Sequence, residues 1–182
     1  MRTVLEEGLF RFVEVLERLK IDYTIIGAIA SGIYGLPRTT YDIDIILKIE
    51  KIKIPSFLEE LKDNGFRFKR EDILKDLKDG YLSEVHYQNI RIDILLPVLP
   101  YFKKVIKRGV IFNLSGNDLK FAQAEDVVIL KLLSNREKDR EDIQAINQIH
   151  TGLDIGYIKD SLLRLVGEKD KSYEAFKQIF EL

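Results

Sequence analysis

The chain is predicted to be an α/β (α+β) protein in which a mixed, mostly antiparallel sheet is backed by helices, with further helices on its C-terminal side. Three observations lead there. Short runs of β-branched and aromatic residues are interspersed with segments whose apolar residues recur every three or four positions. Gln88-Asn89 and Ser115-Gly116-Asn117-Asp118 read as turns between neighbouring strands. Tyr157 to Val166 and Tyr173 to Phe180 carry helical apolar faces and no strand signal.

Element by element, Leu5, Leu9, Phe12, Val13, Leu16 and Leu19 place an amphipathic helix over residues 3 to 20. Asp22 to Ile26 is a short buried strand, Gly27 a turn, and Ala28 to Tyr34 a short helix. A strand carrying Asp42-Ile43-Asp44-Ile45 follows, and then a helix opened by Pro55 and stopped at Asn64-Gly65. Phe66 to Lys69 reads as a short strand, and residues 70–80 as a charged, helix-like, mobile connection. Tyr81 to Tyr87 and Ile90 to Leu96 form a hairpin, and Tyr101 to Arg108 a helix. Val110 to Leu114 and Leu119 to Ala122 are strands. One long helix then starts at Ala124, with Val127, Val128, Leu130 and Leu133 as its apolar side.

Composition narrows the function classes. A length of 182 residues with 46% hydrophobic content suits a single compact unit, read as a core over residues 1–122 and a helical extension over 123–182. No run approaches the roughly 18 apolar residues of a membrane span, and MRTVLEEGLF lacks the order of a signal peptide, so the cytoplasm is expected and a membrane partner is not. With no cysteine and only the distant His86 and His150, any bound metal has to be held by oxygen. A net charge of −1 argues against general nucleic-acid binding. It leaves only a local patch, Lys103, Lys104, Lys107 and Arg108, for which a solvated helix face is the ordinary reading.

The chemistry concentrates in Gly27 to Asp44, GAIASGIYGLPRTTYDID. Glycine lets the backbone approach a phosphate, and the free N–H groups of the helix that follows favour an anion. Such a helix end contributes only ~0.3–1 kcal/mol, too little for a triphosphate, so cations are required. Strand alternation puts Asp42 and Asp44 on one face, about 6.5–7 Å apart, with the isoleucines on the other. Paired carboxylates suit magnesium, whereas without metal they repel. Alternating Asp and Ile is also what a half-buried strand shows to solvent. Arg38 either contacts phosphate or pairs with Asp42 or Asp44. Asp93, in NIRIDIL, shares a strand face with Arg91, and a surface ion pair is its plain alternative. Lys131 lies in the apolar run ILKLL, so its ammonium either snorkels to water or enters a polar cleft.

The glycine turn followed by Asp-x-Asp resembles the signature of the DNA polymerase β-like nucleotidyltransferase superfamily. Gly-x-x-Ala and Gly-x-Pro-Arg-x-Thr-x-Asp-Ile-Asp are closer to small prokaryotic members related to AbiEii-type toxins. One departure is Ala28, where members commonly carry Ser or Gly, so a hydroxyl is replaced by a backbone N–H alone, with Ser31 one turn on. The resemblance implies transfer of a nucleoside monophosphate from a nucleoside triphosphate such as ATP to an acceptor hydroxyl, with Mg2+ or Mn2+ as cofactor. It implies Asp42, Asp44 and Asp93 as metal-binding and catalytic residues. Gly27, Ala28, Ser31, Arg38 and Lys131 would then serve the nucleotide. EDVVILKLLSNREKDREDI resembles a run of the same relatives and implies that Lys131 contacts phosphate while Asp139 orients it or the acceptor. The implied acceptor is a tRNA, a protein or a small molecule, and an antitoxin partner or homo-oligomer is the implied assembly. The rival expectation is an inactive nucleotide-binding or protein-interaction module of the same fold.

Overall fold

The computed structural model describes residues 2–79 and 83–181, and for residues 77–79 the backbone alone. The elements run α1 (Val4–Arg18), β1 (Asp22–Ile26), α2 (Gly27–Tyr34), β2 (Asp42–Lys48), α3 (Ile54–Asp63), α4 (Arg70–Asp79), β3 (Ser83–Tyr87), β4 (Ile90–Leu95) and α5 (Pro100–Arg108). They continue with β5 (Val110–Leu114), β6 (Asn117–Phe121), α6 (Ala124–Ser134), α7 (Glu137–Ile149), α8 (Ile155–Leu165) and α9 (Lys171–Phe180). The strands form one sheet in the order β3-β4-β2-β1-β6-β5. β1 with β2, β3 with β4 and β5 with β6 are antiparallel, whereas β2 with β4 and β1 with β6 are parallel. The mixed, mostly antiparallel sheet expected from the sequence is the sheet that forms. Among the described residues no helix is long and apolar enough to cross a membrane.

The chain packs into two compact units, described separately. The first runs to Ile26 and resumes over Thr39–Phe121, and so contains the whole sheet. Its helix α1 starts at a capping box, in which the Glu6 N–H donates to Thr3 Oγ1 and the Thr3 N–H to Glu6 Oε2. Phe12 of α1 meets Phe57 of α3 and Phe66 edge-to-face, at centroid distances of 6.0 and 5.6 Å. Ile43, Ile45, Ile92 and Ile94, on the central strands, are fully buried. The second unit comprises Gly27–Arg38 and the chain from Ala122 onward. In it α6 is the hub, packed against α2, α7, α8 and α9.

Three expectations change: that for residues 66 to 69, that for a single long helix from Ala124, and that for this helix's apolar side. Residues 66 to 69 make only an isolated bridge, with Arg67 and His86 exchanging backbone N–H to O bonds of 2.8 and 2.9 Å. The charged connection is the helix α4, seated on β3 with Ile73 buried, because Ile73 supplies an apolar anchor amid the charges. Gly80, Tyr81 and Leu82, including the expected start of the hairpin, lie outside the described residues. The long helix is two helices, broken where Asn135 adopts φ +49°, a left-handed cap that asparagine tolerates. Its buried side is Val127, Val128, Ile129 and Leu132, while Leu130 and Leu133 are only partly covered.

Candidate active site

Register puts the acidic residues on one face of the sheet. β2 and β4 are parallel neighbours, and they pair Asp42 with Arg91 and Asp44 with Asp93. Since the intervening isoleucines fill the core, Asp42, Asp44, Arg91 and Asp93 share the opposite face. Arg91 lies between two of the acids, with Nη2 3.3 Å from Asp42 Oδ2 and Nε 3.1 Å from Asp93 Oδ1. Burial pushes the Asp93 carboxyl up to about 6; the Arg91 charge opposes this, and Asp44, Asp42 and Glu84 add to it. Glu84 of β3 is the antiparallel partner of Asp93, so a fourth carboxylate continues the row. Sequence reading passed over Glu84, although the alternation in SEVHY already places it with His86 on one face.

Asp44 is also the antiparallel partner of Ile26, the last residue of β1, and the chain enters α2 directly at Gly27. Gly27 has φ +68°, a value open to glycine at little cost, which is how a strand becomes a helix with no loop between. Ala28 is buried. Ser31 is buried too, and its hydroxyl donates to the Gly27 carbonyl at 2.9 Å, so its single proton is committed within the helix. A phosphate oxygen only accepts, so the Ser31 hydroxyl would have to turn away from the Gly27 carbonyl to serve one.

In the second unit a buried ionic cluster joins α6 to α7. Lys131, only 5% exposed, reaches Asp142 Oδ2 at 2.5 Å and Asp139 Oδ1 at 3.3 Å. Arg38 Nε lies 3.1 and 3.3 Å from the two oxygens of Asp142, and Arg136 Nε 2.7 Å from Asp139. Burial works against the Asp139 charge, yet hydrogen bonds from Arg136 and Ser134 and the Lys131 charge hold its carboxyl at about 2. Arg38, Lys131 and Arg136 thus share the carboxylates of Asp139 and Asp142. Among the described residues the ion-pair partner of Arg38 is therefore Asp142, not the Asp42 or Asp44 that the sequence offered. Only the three-residue spacing of Asp139 and Asp142, which puts both on one side of α7, signalled it.

Among the described residues no three or more His, Cys, Asp or Glu gather into a metal-holding group, and Arg91 stands among the carboxylates. The donor chemistry nonetheless fits a hard cation. Magnesium needs only one or two carboxylates, with water and substrate phosphates completing its shell, and Asp44 and Asp93 are side by side.

The chain matches, over residues 8–181, the family described as "nucleotidyltransferase of unknown function (DUF6036)". No curated protein matches it. Among solved structures it is similar to an antigenic nucleotidyltransferase-like protein from Paracoccidioides brasiliensis, at 17% identity over 97% of each chain and a TM-score of 0.54. It is also similar to the lincomycin-bound lincosamide antibiotic adenylyltransferase LnuA, at 16% identity over 81% of this chain and 99% of that one, TM-score 0.52. A third is ANT(2″)-Ia in complex with adenylyl-2″-tobramycin, at 8% identity over 96% and 98%, TM-score 0.54. At these identities the likeness shows the fold.

Proposed function

Because the chain belongs to that nucleotidyltransferase family, we propose that it is a metal-dependent enzyme moving a nucleoside monophosphate from a triphosphate to an acceptor hydroxyl. The observation that carries this reading is the in-register pairing of Asp44 with Asp93, with Asp42 on the same face. Asp42, Asp44 and Asp93 would hold Mg2+ or Mn2+, which when bound would supply Lewis-acid neutralisation of the attacking and leaving oxygens. Asp93, side by side with Asp44 across the β2–β4 pair, takes the proton of the acceptor hydroxyl as general base. The acceptor oxygen bonds to the α-phosphorus, the α–β bridge breaks, and pyrophosphate leaves. The Gly27 and Ala28 backbone, with Arg38 and Lys131, would serve the phosphates. In this reading residues 1–122 are the catalytic core and 123–182 the helical extension that carries Lys131 and Asp139. The acceptor is a tRNA, a protein or a small molecule, and an antitoxin-type partner belongs to the same reading.

One observation favours a nucleotide-binding module without transfer: Ala28 has no hydroxyl and the Ser31 proton is already committed. A labelled α-phosphate separates the two. With Mg2+ or Mn2+ the protein is expected to pass label to an acceptor from a panel of tRNA, proteins and small hydroxylated molecules. Asp44→Asn is expected to abolish transfer while the fold persists. Triphosphate binding without transfer to any acceptor would favour the module.

A further inference from the structure

We propose that Arg91 is a resident counter-cation of the carboxylate face: it holds Asp42 and Asp93 in the metal-free protein and must leave them for a divalent cation to bind, so that it sets the metal affinity. The proposal rests on the reading of these carboxylates as metal ligands. Its ground is the position of one side chain. Arg91 stands opposite Asp42 across the parallel β2–β4 pair and two residues before Asp93 on its own strand, so both acids fall within its reach. Three carboxylates on one face repel, and an internal cation is the means by which a chain without metal relieves that repulsion. With Arg91 in place the four side chains carry a formal charge of −2, and with it displaced the three acids carry −3.

The same contacts are built to be broken. The Arg91 side chain is 43% exposed and that of Asp42 41%, so their pair is of the screened surface kind. Toward Asp93 the Nε atom is at ion-pair distance, yet it is buried and makes no hydrogen bond, because the N–H is not aligned with the carboxylate. The strong fork-to-fork arrangement of arginine and carboxylate is absent here. Arg91 is anchored by its backbone, whose N–H donates to the Tyr41 carbonyl at 3.1 Å, so the side chain can swing away without disturbing the strand. A divalent ion competing with so loose a pair displaces it, at a cost in affinity rather than a block. Arg91 is thus a positioning residue: it acts through the carboxylates and touches no reacting atom.

The test is a Mn2+ titration followed by the electron paramagnetic resonance signal of the free ion, on wild type, Arg91→Met, Arg91→Lys and Asp44→Asn, with thermal melts in chelator and in Mn2+. Arg91→Met is expected to bind Mn2+ about three- to tenfold tighter than wild type, the worth of two loose ion pairs. It should melt lower than wild type in chelator and gain more on adding Mn2+. Arg91→Lys keeps a charge but lacks the fork that spans both acids, and is expected to bind about two- to threefold tighter. It decides the matter if Arg91→Met does not fold. A merely structural arginine would lower melting equally in both conditions and leave the affinity unchanged or weaker. That result, with wild-type binding intact and lost in Asp44→Asn, overturns the counter-cation role alone. If wild type and Asp44→Asn are equally unable to bind Mn2+, the metal reading falls and this inference with it.

Discussion

At Asp93 burial outweighs the guanidinium beside it, and the sign of that imbalance has consequences for stability. The folded carboxyl titrates near 6, above its ordinary value of 3.8, so between those two values the native state holds a proton that the unfolded chain has released. Stability contributed at this residue is therefore present below about pH 4, falls as pH rises toward 6, and stays lost above it. Asp93→Asn removes the carboxyl that has to ionise. It is expected to raise the stability of the metal-free protein at pH 7–8 by about 1–3 kcal/mol, with no gain below pH 4, while abolishing transfer. Denaturant melts at pH 4 and pH 8 in chelator check this, and an equal effect at both pH values would mean that the side chain's shape and not its charge is being felt. Asp44 and Asp93 were legible as a same-face pair because a strand has period two and both lie among isoleucines. The reach of Arg91 to two acids at once was not legible, since it depends on β2 and β4 lying side by side, and nothing local to either strand specifies that neighbour.

The α6–α7 pair shows where element-level reading stops. Lys131 was conspicuous in an apolar run, but the alternatives of water and cleft omitted a third, a carboxylate pair on the next helix. That pair comes to face Lys131 only because Asn135 turns the chain between the helices, and a left-handed asparagine in Ser-Asn-Arg leaves little periodic trace. Lys131→Met is expected to cost about 3–5 kcal/mol, because it leaves two buried carboxylates short of a cation. Arg38 and Arg136 remain and hold the cost to the lower part of that range. Adding Asp142→Asn to Lys131→Met is expected to recover part of the loss, a coupling of about 1–3 kcal/mol readable in a double-mutant cycle. Additive effects would show that the two side chains do not act as a pair. The acid limb should report the same cluster: Asp139, depressed to about 2, contributes stability that is complete above its ordinary 3.8 and is lost as pH falls toward 2. Asp139→Asn should flatten the acid limb in that window and leave the neutral-to-alkaline profile parallel to wild type.

Across the whole molecule, the sheet was the most legible feature and the long-range partners the least. At Asp22–Ile26 and Val110–Leu114 the expected strand limits are those observed, because each strand has to bury one face whatever its neighbours are, whereas Phe66 to Lys69 makes only a bridge. The order β3-β4-β2-β1-β6-β5, the bridge between Arg67 and His86, and the assignment of Gly27–Arg38 to the second unit all follow from packing between distant segments, which leaves no local pattern. A chain with net charge −1 offers a polyanion no long-range attraction, so its affinity for triphosphate has to come from local groups and from metal. That makes nucleotide-linked stability a test of the molecule as a whole. With triphosphate and Mg2+ at about a hundred times the dissociation constant, binding to the folded state alone adds about 2.7 kcal/mol. For a chain of this size that is a rise of about 5–10 °C in Tm. Chelator in place of Mg2+ is expected to remove most of that rise, and Asp44→Asn should show little of it in either condition. An equal rise with and without metal would locate the binding energy in the Gly27 turn and the Arg38–Lys131 cluster instead of the carboxylates, and the metal-dependent reading would give way to the binding module.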